Sequence, residues 1–376
     1  MRSFICACAA LLALAAASTA RATDVDIPVL VPITGFLSLE GTSQRNGALL
    51  AIKNAPAGLN VRADVSDTGT APDVAVNALE RALGRGSPIA VVASMLGTQV
   101  LAMLPVAAQS KVPLLTVSGT ASVTEKGNPY VFRFFPGDSI TKIAHVRYAA
   151  EVLKAKRLAL IAQTTEYGQS GRAAIEAIAA KLGLQLVFEE SLDVQVRDMS
   201  PVLGKVKAAK PDVLLLHLHA GPTALAIRQA AAMNLGIPIV TGSALSQPST
   251  AALLDPAELR GVCAETNASP ISGGSPAMEK FLQQYRRQFK TEPDGYAAAQ
   301  YDGVMMALDA IARGATTRAA LTAALASGTY QGLAMTYKSD GKGNMAHSAI
   351  IVCYDGKSRI PKVVKRYDDL DGVLAH

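Results

Sequence analysis

Short apolar runs rich in Val, Ile and Leu recur along this chain and alternate with longer stretches of helical spacing. The runs at residues 25–31, 61–65, 89–93 and 112–117 read as buried strands, since a few apolar residues bounded by turn formers fit a strand covered on both faces. Between them, Ala71-Pro72-Asp73 opens one helix with proline in its first turn, and Thr98 stands as the N-cap of another over residues 98–109. Strand, helix, strand in repetition predicts βαβ units and a parallel sheet. That first sheet closes near Phe135, where Pro136-Gly137-Asp138 interrupts the pattern. A second βα series then runs through Leu158, Leu184, Val213 and Ile237. Residues 275–326 are mostly helical in spacing, and 329–364 form a strand-rich tail with a turn at Ser339-Asp340-Gly341.

Two of these strands end in hydroxyl-bearing turns. Residues 158–171 form an apolar strand whose polar end carries Tyr167-Gly168 and opens a helix near Gly171, and the run at 112–117 ends at Ser118-Gly119-Thr120. In open α/β sheets ligands bind outside the carboxyl ends of the strands, so these turns mark the candidate site for a small polar molecule.

The N-terminus points to export. Arg2, an apolar stretch over residues 4–17 and the small-x-small run Ala20-Arg21-Ala22 have the form of a signal peptide cut after Ala22. Cys8 precedes most of the apolar stretch, which argues against a lipid-modified start, and no later segment approaches the roughly 20 apolar residues of a membrane span. Loss of Arg2 and Arg21 takes the formal charge from +6 to +4. The remaining Lys and Arg are interleaved with Asp and Glu, which argues against nucleic acid as a partner. The roughly 350 residues left exceed what one core usually supports, so two lobes are expected. Of the cysteines only Cys263 and Cys353 remain; an oxidising exterior lets them pair, but two buried thiols acting as small hydrophobes are the preferred reading.

Several chemistries lack their motifs. There is no Gly-x-Ser-x-Gly elbow, no Gly-rich dinucleotide turn (Pro32-Ile33-Thr34-Gly35-Phe36 follows the first strand), and no phosphate loop. His217 and His219, two apart on a strand, could share a metal; the preferred reading is that they end a buried strand near the cleft and hydrogen-bond locally.

With the export signal and the two-lobe pattern, Pro32-Ile33-Thr34-Gly35, Asn46-Gly47-Ala48, Ser118-Gly119-Thr120, Tyr130-Val131-Phe132-Arg133, Glu166-Tyr167-Gly168 and Tyr301-Asp302-Gly303 together resemble the type I periplasmic binding proteins, in particular the leucine/isoleucine/valine-binding family. The resemblance implies an α/β fold of two Rossmann-like lobes with parallel sheets, joined by a three-stranded hinge. It implies a signal peptide over 1–22, one lobe from 23–137 and 269–348, and the other from 138–268 and 349–376. It further implies a periplasmic, monomeric receptor without catalysis or cofactor, closing on a solute and delivering it to the permease subunits of an ABC importer in the inner membrane.

Carried over by position, the ligand carboxylate meets Thr98 and the turn Ser118, Gly119 and Thr120, Tyr167 covers the ligand, and His219 and Tyr296 stand at further aromatic positions. Where amino-acid-binding members place an acidic residue for the α-ammonium, this chain has Ala244, which points to an amino-free ligand, an aromatic or branched aliphatic acid. Glu40 falls where the family covers the ligand side chain. It could replace the missing carboxylate, although a solvated helix start is the preferred reading. A branched-chain amino acid or amide receptor using Glu40, and a ligand sensor for a signalling partner, are the alternatives.

Overall fold

The structure is a computed structural model that describes residues 22–368 and 370, so the expected export segment lies almost wholly outside the described residues. Pro28 divides the first apolar run, because it has no N–H to give to a ladder. The chain forms β1 (Thr23–Asp26) and β2 (Val29–Val31) in place of one strand. β1 pairs with β3 (Leu59–Arg62) and β2 with β4 (Val65–Asp67), so the strand expected over 61–65 is split in the same way.

With β5 (Val91–Val92), β6 (Leu114–Thr116) and β7 (Val131–Arg133), these residues build a five-stranded parallel sheet of order β4-β2-β5-β6-β7. Its crossovers are α1 (Ser38–Lys53), α2 (Pro72–Arg85) and α3 (Gly97–Ser110), and the short α4 (Ser122–Glu125) leads into β7. α3 starts one residue earlier than expected. Leu96 is its N-cap, without a side-chain bond, and Thr98 lies half-buried inside the first turn, not at the cap.

The second unit begins directly after Gly137 with α5 (Asp138–Glu151), then β8 (Arg157–Gln163), α6 (Glu166–Lys181) and β9 (Gln185–Leu192). α7 (Ser200–Ala209), β10 (Val213–His217), α8 (Ala220–Ala232) and β11 (Ile239–Thr241) continue the alternation. α9 (Pro248–Ala251) and β12 (Val262–Thr266) complete it. The chain then returns to pack α10 (Pro276–Phe289), α11 (Gly295–Ala312) and α12 (Arg318–Ser327) on the first unit, with the hairpin of β13 (Thr329–Gln331) and β14 (Thr336–Lys338). α11 lies so close to α1 that a Cβ at Gly47 would enter the Ala297 carbonyl. A last crossing lays β15 (Ala349–Cys353) and β16 (Lys362–Tyr367) on the second sheet, whose order is β16-β15-β12-β11-β10-β8-β9.

This sheet is mixed, not wholly parallel: β15 runs against β12 and β16 against β15. The connection between β15 and β16 is too short for a parallel crossover, so an antiparallel hairpin is the available pairing. The chain thus passes between the two units three times, at 134–137, 267–275 and 339–348.

The pairing of β15 with β12 also corrects the reading of the cysteines. Its register sets Cys353 opposite Cys263, and the two are joined by a disulfide. Both had fitted buried thiols because each sits on a strand; only the pairing of two strands 90 residues apart in sequence brings them together. A loop of that length loses much chain entropy when closed, typically worth about 2–4 kcal/mol. The melting temperature of the oxidised protein is expected to fall on reduction and to fall equally in Cys263→Ala/Cys353→Ala. Equal melting with and without reductant would count against the bond.

Candidate functional site

The carboxyl ends of both sheets meet across a narrow cleft. Its wall is formed by Leu37 before α1, Glu40 of α1, Met95 and Leu96 before α3, Gly119 after β6, Tyr167 of α6, His219 before α8, Ala244 after β11, and Tyr296 of α11. The cavity volume is about 20 Å³, room for about one water, so the lobes stand closed on one another. Of the residues singled out from sequence, Glu40, Gly119, Tyr167, His219, Ala244 and Tyr296 line this space. Ser118, Thr120 and Thr98 are not among its wall residues. Leu37 was missed, since an isolated leucine in a turn carries no signal of its own.

The turn after β6 is held from below. Thr116 Oγ1 donates to the Ser94 carbonyl at 2.7 Å and accepts from Ser118 N–H at 3.1 Å. Arg133, 1% exposed, donates to the carbonyls of Thr120 at 2.7 Å and Gly119 at 3.3 Å, and to Thr124 Oγ1 and Asn344 Oδ1. Asn344 belongs to the third crossing, so the Arg133 of the Tyr130-Val131-Phe132-Arg133 motif ties the hinge to the turn. The hydroxyls of Ser118 and Thr120 are buried and have no partner among the described residues, and Thr120 packs against Gly97, where α3 begins. Gly119 sits in a tight place: a Cβ would stand 3.2 Å from both Asp138 Oδ1 and the Tyr167 ring.

Tyr167 is placed by glycines. α6 begins at Glu166, five residues before the expected Gly171, because the Thr165 hydroxyl caps it by accepting from Gly168 N–H at 3.3 Å. A Cβ at Gly168 would enter the Gln163 carbonyl, and one at Gly171 would enter the His217 ring. The two glycines let α6 press on β8 and β10 and bring the Tyr167 ring to 3.9 Å from His217 and 5.1 Å from His219. The Tyr167 hydroxyl is buried, has no partner among the described residues and aims toward Gly242. On the facing lobe, Tyr296 stacks on Phe135 at 4.6 Å.

His217 and His219 do not share a face, because β10 ends between them and His219 becomes the N-cap of α8. His217 Nε2 donates to the Tyr167 carbonyl at 2.9 Å, and His219 Nε2 pairs with the Thr165 hydroxyl at 3.1 Å. Burial, with the Lys142 cation nearby, pushes His217 well below the ordinary imidazole range, and burial takes His219 down to about 4. Both rings are neutral at pH 7.

Glu40 is not solvated. It is 2% exposed, and its Oε1 accepts from Ala220 N–H of the opposite lobe at 3.1 Å. Burial first, and the Asp294 charge after it, raise its carboxyl to about 7. Beneath the cleft lies a second polar group. Lys142 is ion-paired with Glu265, whose other oxygen faces His145 Nδ1 at 3.3 Å, and Ser243 donates to the same carboxylate at 3.3 Å. Burial alone would raise Glu265, but Lys142 and His145 outweigh it and hold the carboxyl far below its ordinary range.

A family model described as "Periplasmic binding protein" matches residues 24–357. An "Amino acid binding protein" of Pseudomonas aeruginosa is 28% identical over 299 residues, covering 76% of this chain and 78% of its own. Among solved structures, the leucine-binding protein LivK of Thermotoga maritima superposes with a TM-score of 0.83 at 24% identity, covering 92% of this chain and 99% of its own. The solute-binding protein of an ABC transporter from Rhodopseudomonas palustris, in complex with 3,4-dihydroxybenzoic acid, gives 0.81 at 20% identity, with coverage of 92% and 98%. At these identities the structural likeness establishes the fold.

The buried pair yields a prediction. Lys142→Met leaves Glu265 in the interior without its cation, which costs about 3–5 kcal/mol in comparable cases. Lys142→Met/Glu265→Gln should recover part of that loss, as read by denaturant titration. Wild-type stability in the single variant would mean that the pair is not ionised. Because the folded Glu265 carboxyl is depressed, its contribution is present above the ordinary carboxylate range and is lost as the pH falls toward the folded value.

Proposed function

The chain belongs to the periplasmic binding protein family, the non-catalytic solute-binding proteins of ABC transporters, and from that premise we propose that its solute is a small organic carboxylate, aromatic or branched aliphatic, without an α-ammonium. The observation that carries this reading is the composition of the cleft wall. Tyr167, Tyr296 and a neutral His219 offer ring surface, Leu37, Met95 and Leu96 offer apolar surface, and the turn after β11 contributes Ala244, with no carboxylate there to neutralise an ammonium. A buried ammonium without a partner costs several kcal/mol. The unpartnered hydroxyls of Ser118 and Thr120, near the N-terminus of α3, supply donors suited to a carboxylate without a buried cation.

In this reading Tyr167 is the lid, and residues 23–137 and 269–348 form the lobe that grips the carboxylate. Residues 138–268 and 349–376 form the lobe that closes over it by hinge motion. The closed, monomeric receptor then docks on the permease. Among the described residues no helix is long and apolar enough to cross a membrane, so any passage of the solute belongs to that partner. One observation favours a second reading, an amino acid as solute: Glu40 is a carboxylate in the cavity wall.

Thermal-shift measurements on the chain from Thr23 distinguish the two. Ligand at a hundred times its Kd stabilises the fold by about 2.7 kcal/mol. Benzoate, 3,4-dihydroxybenzoate or 3-methylbutanoate is expected to raise the melting temperature and L-leucine to leave it unchanged. A shift with leucine alone overturns the ligand class. Thr120→Val, which removes a hydroxyl at nearly constant size, should weaken the acid that binds by about 1–3 kcal/mol in calorimetry while the ligand-free melting temperature holds. Unaltered affinity would take Thr120 out of the site.

A further inference from the structure

Hydrogen bonds that cross between the lobes near the cleft include four with N–H donors. Asp138 N–H donates to the Gly119 carbonyl at 2.7 Å, Ala121 N–H to Ser170 Oγ at 2.8 Å, Gln247 Nε2 to Asp294 at 2.7 Å, and Ala220 N–H to Glu40 at 3.1 Å. The first three join groups that are already satisfied or lie outside the cavity wall. The fourth is different. Glu40 lines the cavity itself, only one of its oxygens is used, and Oε2 is buried with no partner among the described residues. A carboxylate on the first N–H of α8 also meets the positive end of that helix.

We infer that Glu40 is the latch of the closed cleft: one carboxyl oxygen holds the start of α8 across the lobes while the other addresses the polar substituent of the bound solute. The inference rests on the reading of the cleft as the solute site and goes further, making closure and recognition the work of one side chain. It also makes closure proton-linked. The groups around Glu40 are Asp294 and Tyr296 of α11, Tyr167 of α6 and the neutral His219 before α8. None is a cation, and Asp294 opposes a second negative charge.

A carboxyl raised to about 7 in the closed state favours closure below the ordinary carboxylate range and ceases to do so as the pH rises through about 7. From about pH 6 to 8 the closure constant should fall roughly tenfold. A donor on the solute beside Oε2 stabilises the carboxylate and opposes that fall. Protonated Glu40, with Ala220 on Oε1, carries its proton on Oε2 and donates to an acceptor instead.

The test compares wild type, Glu40→Gln and Glu40→Ala. Calorimetry with benzoate should show affinity falling roughly tenfold over that pH range in wild type, a smaller fall for 3,4-dihydroxybenzoate, and in Glu40→Gln only the weaker pH dependence left by Asp138, whose buried carboxyl beside Gly119 is also raised to about 7. Hydrogen exchange at the Ala220 amide reads the latch without any solute. Its protection relative to the intrinsic rate should be greatest at low pH in wild type and lost in Glu40→Ala. Both variants remove a buried ionisable group, and their melting temperatures confirm folding. Identical Ala220 exchange in wild type and Glu40→Ala overturns the latch, as does a pH profile of the same size in wild type and Glu40→Gln. Failure of every acid to bind wild type would strike the proposed solute class, while exchange at Ala220 would still decide the latch.

Discussion

Burying the polar ends of two sheets against each other is the constraint to which the rest of this structure answers. The carboxyl end of a parallel sheet is a rim of strand ends, helix starts and hydroxyl-bearing turns, and every donor or acceptor taken from water there must be paired or remain a cost. In the closed arrangement most of the rim is paired. Gly119 gives its carbonyl to Asp138 N–H, Gln247 reaches Asp294, and Glu40 caps α8 from the other lobe. Among the described residues, the buried groups left unpaired at the cleft include the hydroxyls of Ser118, Thr120 and Tyr167 and one oxygen of Glu40. Unpaired groups so close together are a demand for a polar partner between the lobes, and this couples closure to what lies inside.

Close approach is what makes that coupling tight. Gly119, Gly168 and Gly171 each sit where a Cβ would meet a carbonyl, a carboxylate or a ring, and together they let α6 and the turn after β6 press on one another. The neutral state of His217 and His219 belongs to the same economy of space, since an imidazolium at either would be buried away from solvent and one at His217 would also feel the Lys142 cation. Lys142 and Glu265 instead carry the charge of the second lobe as a pair beneath the cleft, with Ser243 on the oxygen that Lys142 holds and His145 facing the other. On the first lobe Arg133 does the corresponding work, fixing the carbonyls of Gly119 and Thr120 and joining them through Asn344 to the third crossing.

The alternation of apolar runs with helical spacing, the break at Pro136-Gly137-Asp138 and the order of the short motifs were enough to determine two α/β lobes, the family, and the turns at which the cleft would lie. These are local properties: periodicity records burial, and a glycine beside a hydroxyl records a strand end. Tertiary structure alone decided the rest. Whether Cys263 meets Cys353 depends on the register of β12 and β15, and whether Glu40 is solvated depends on α8 arriving from the other lobe. The difference is physical: burial along a segment is written in its own period, whereas the partner of a buried charge or thiol is supplied by residues far away in sequence, through a geometry that no period encodes.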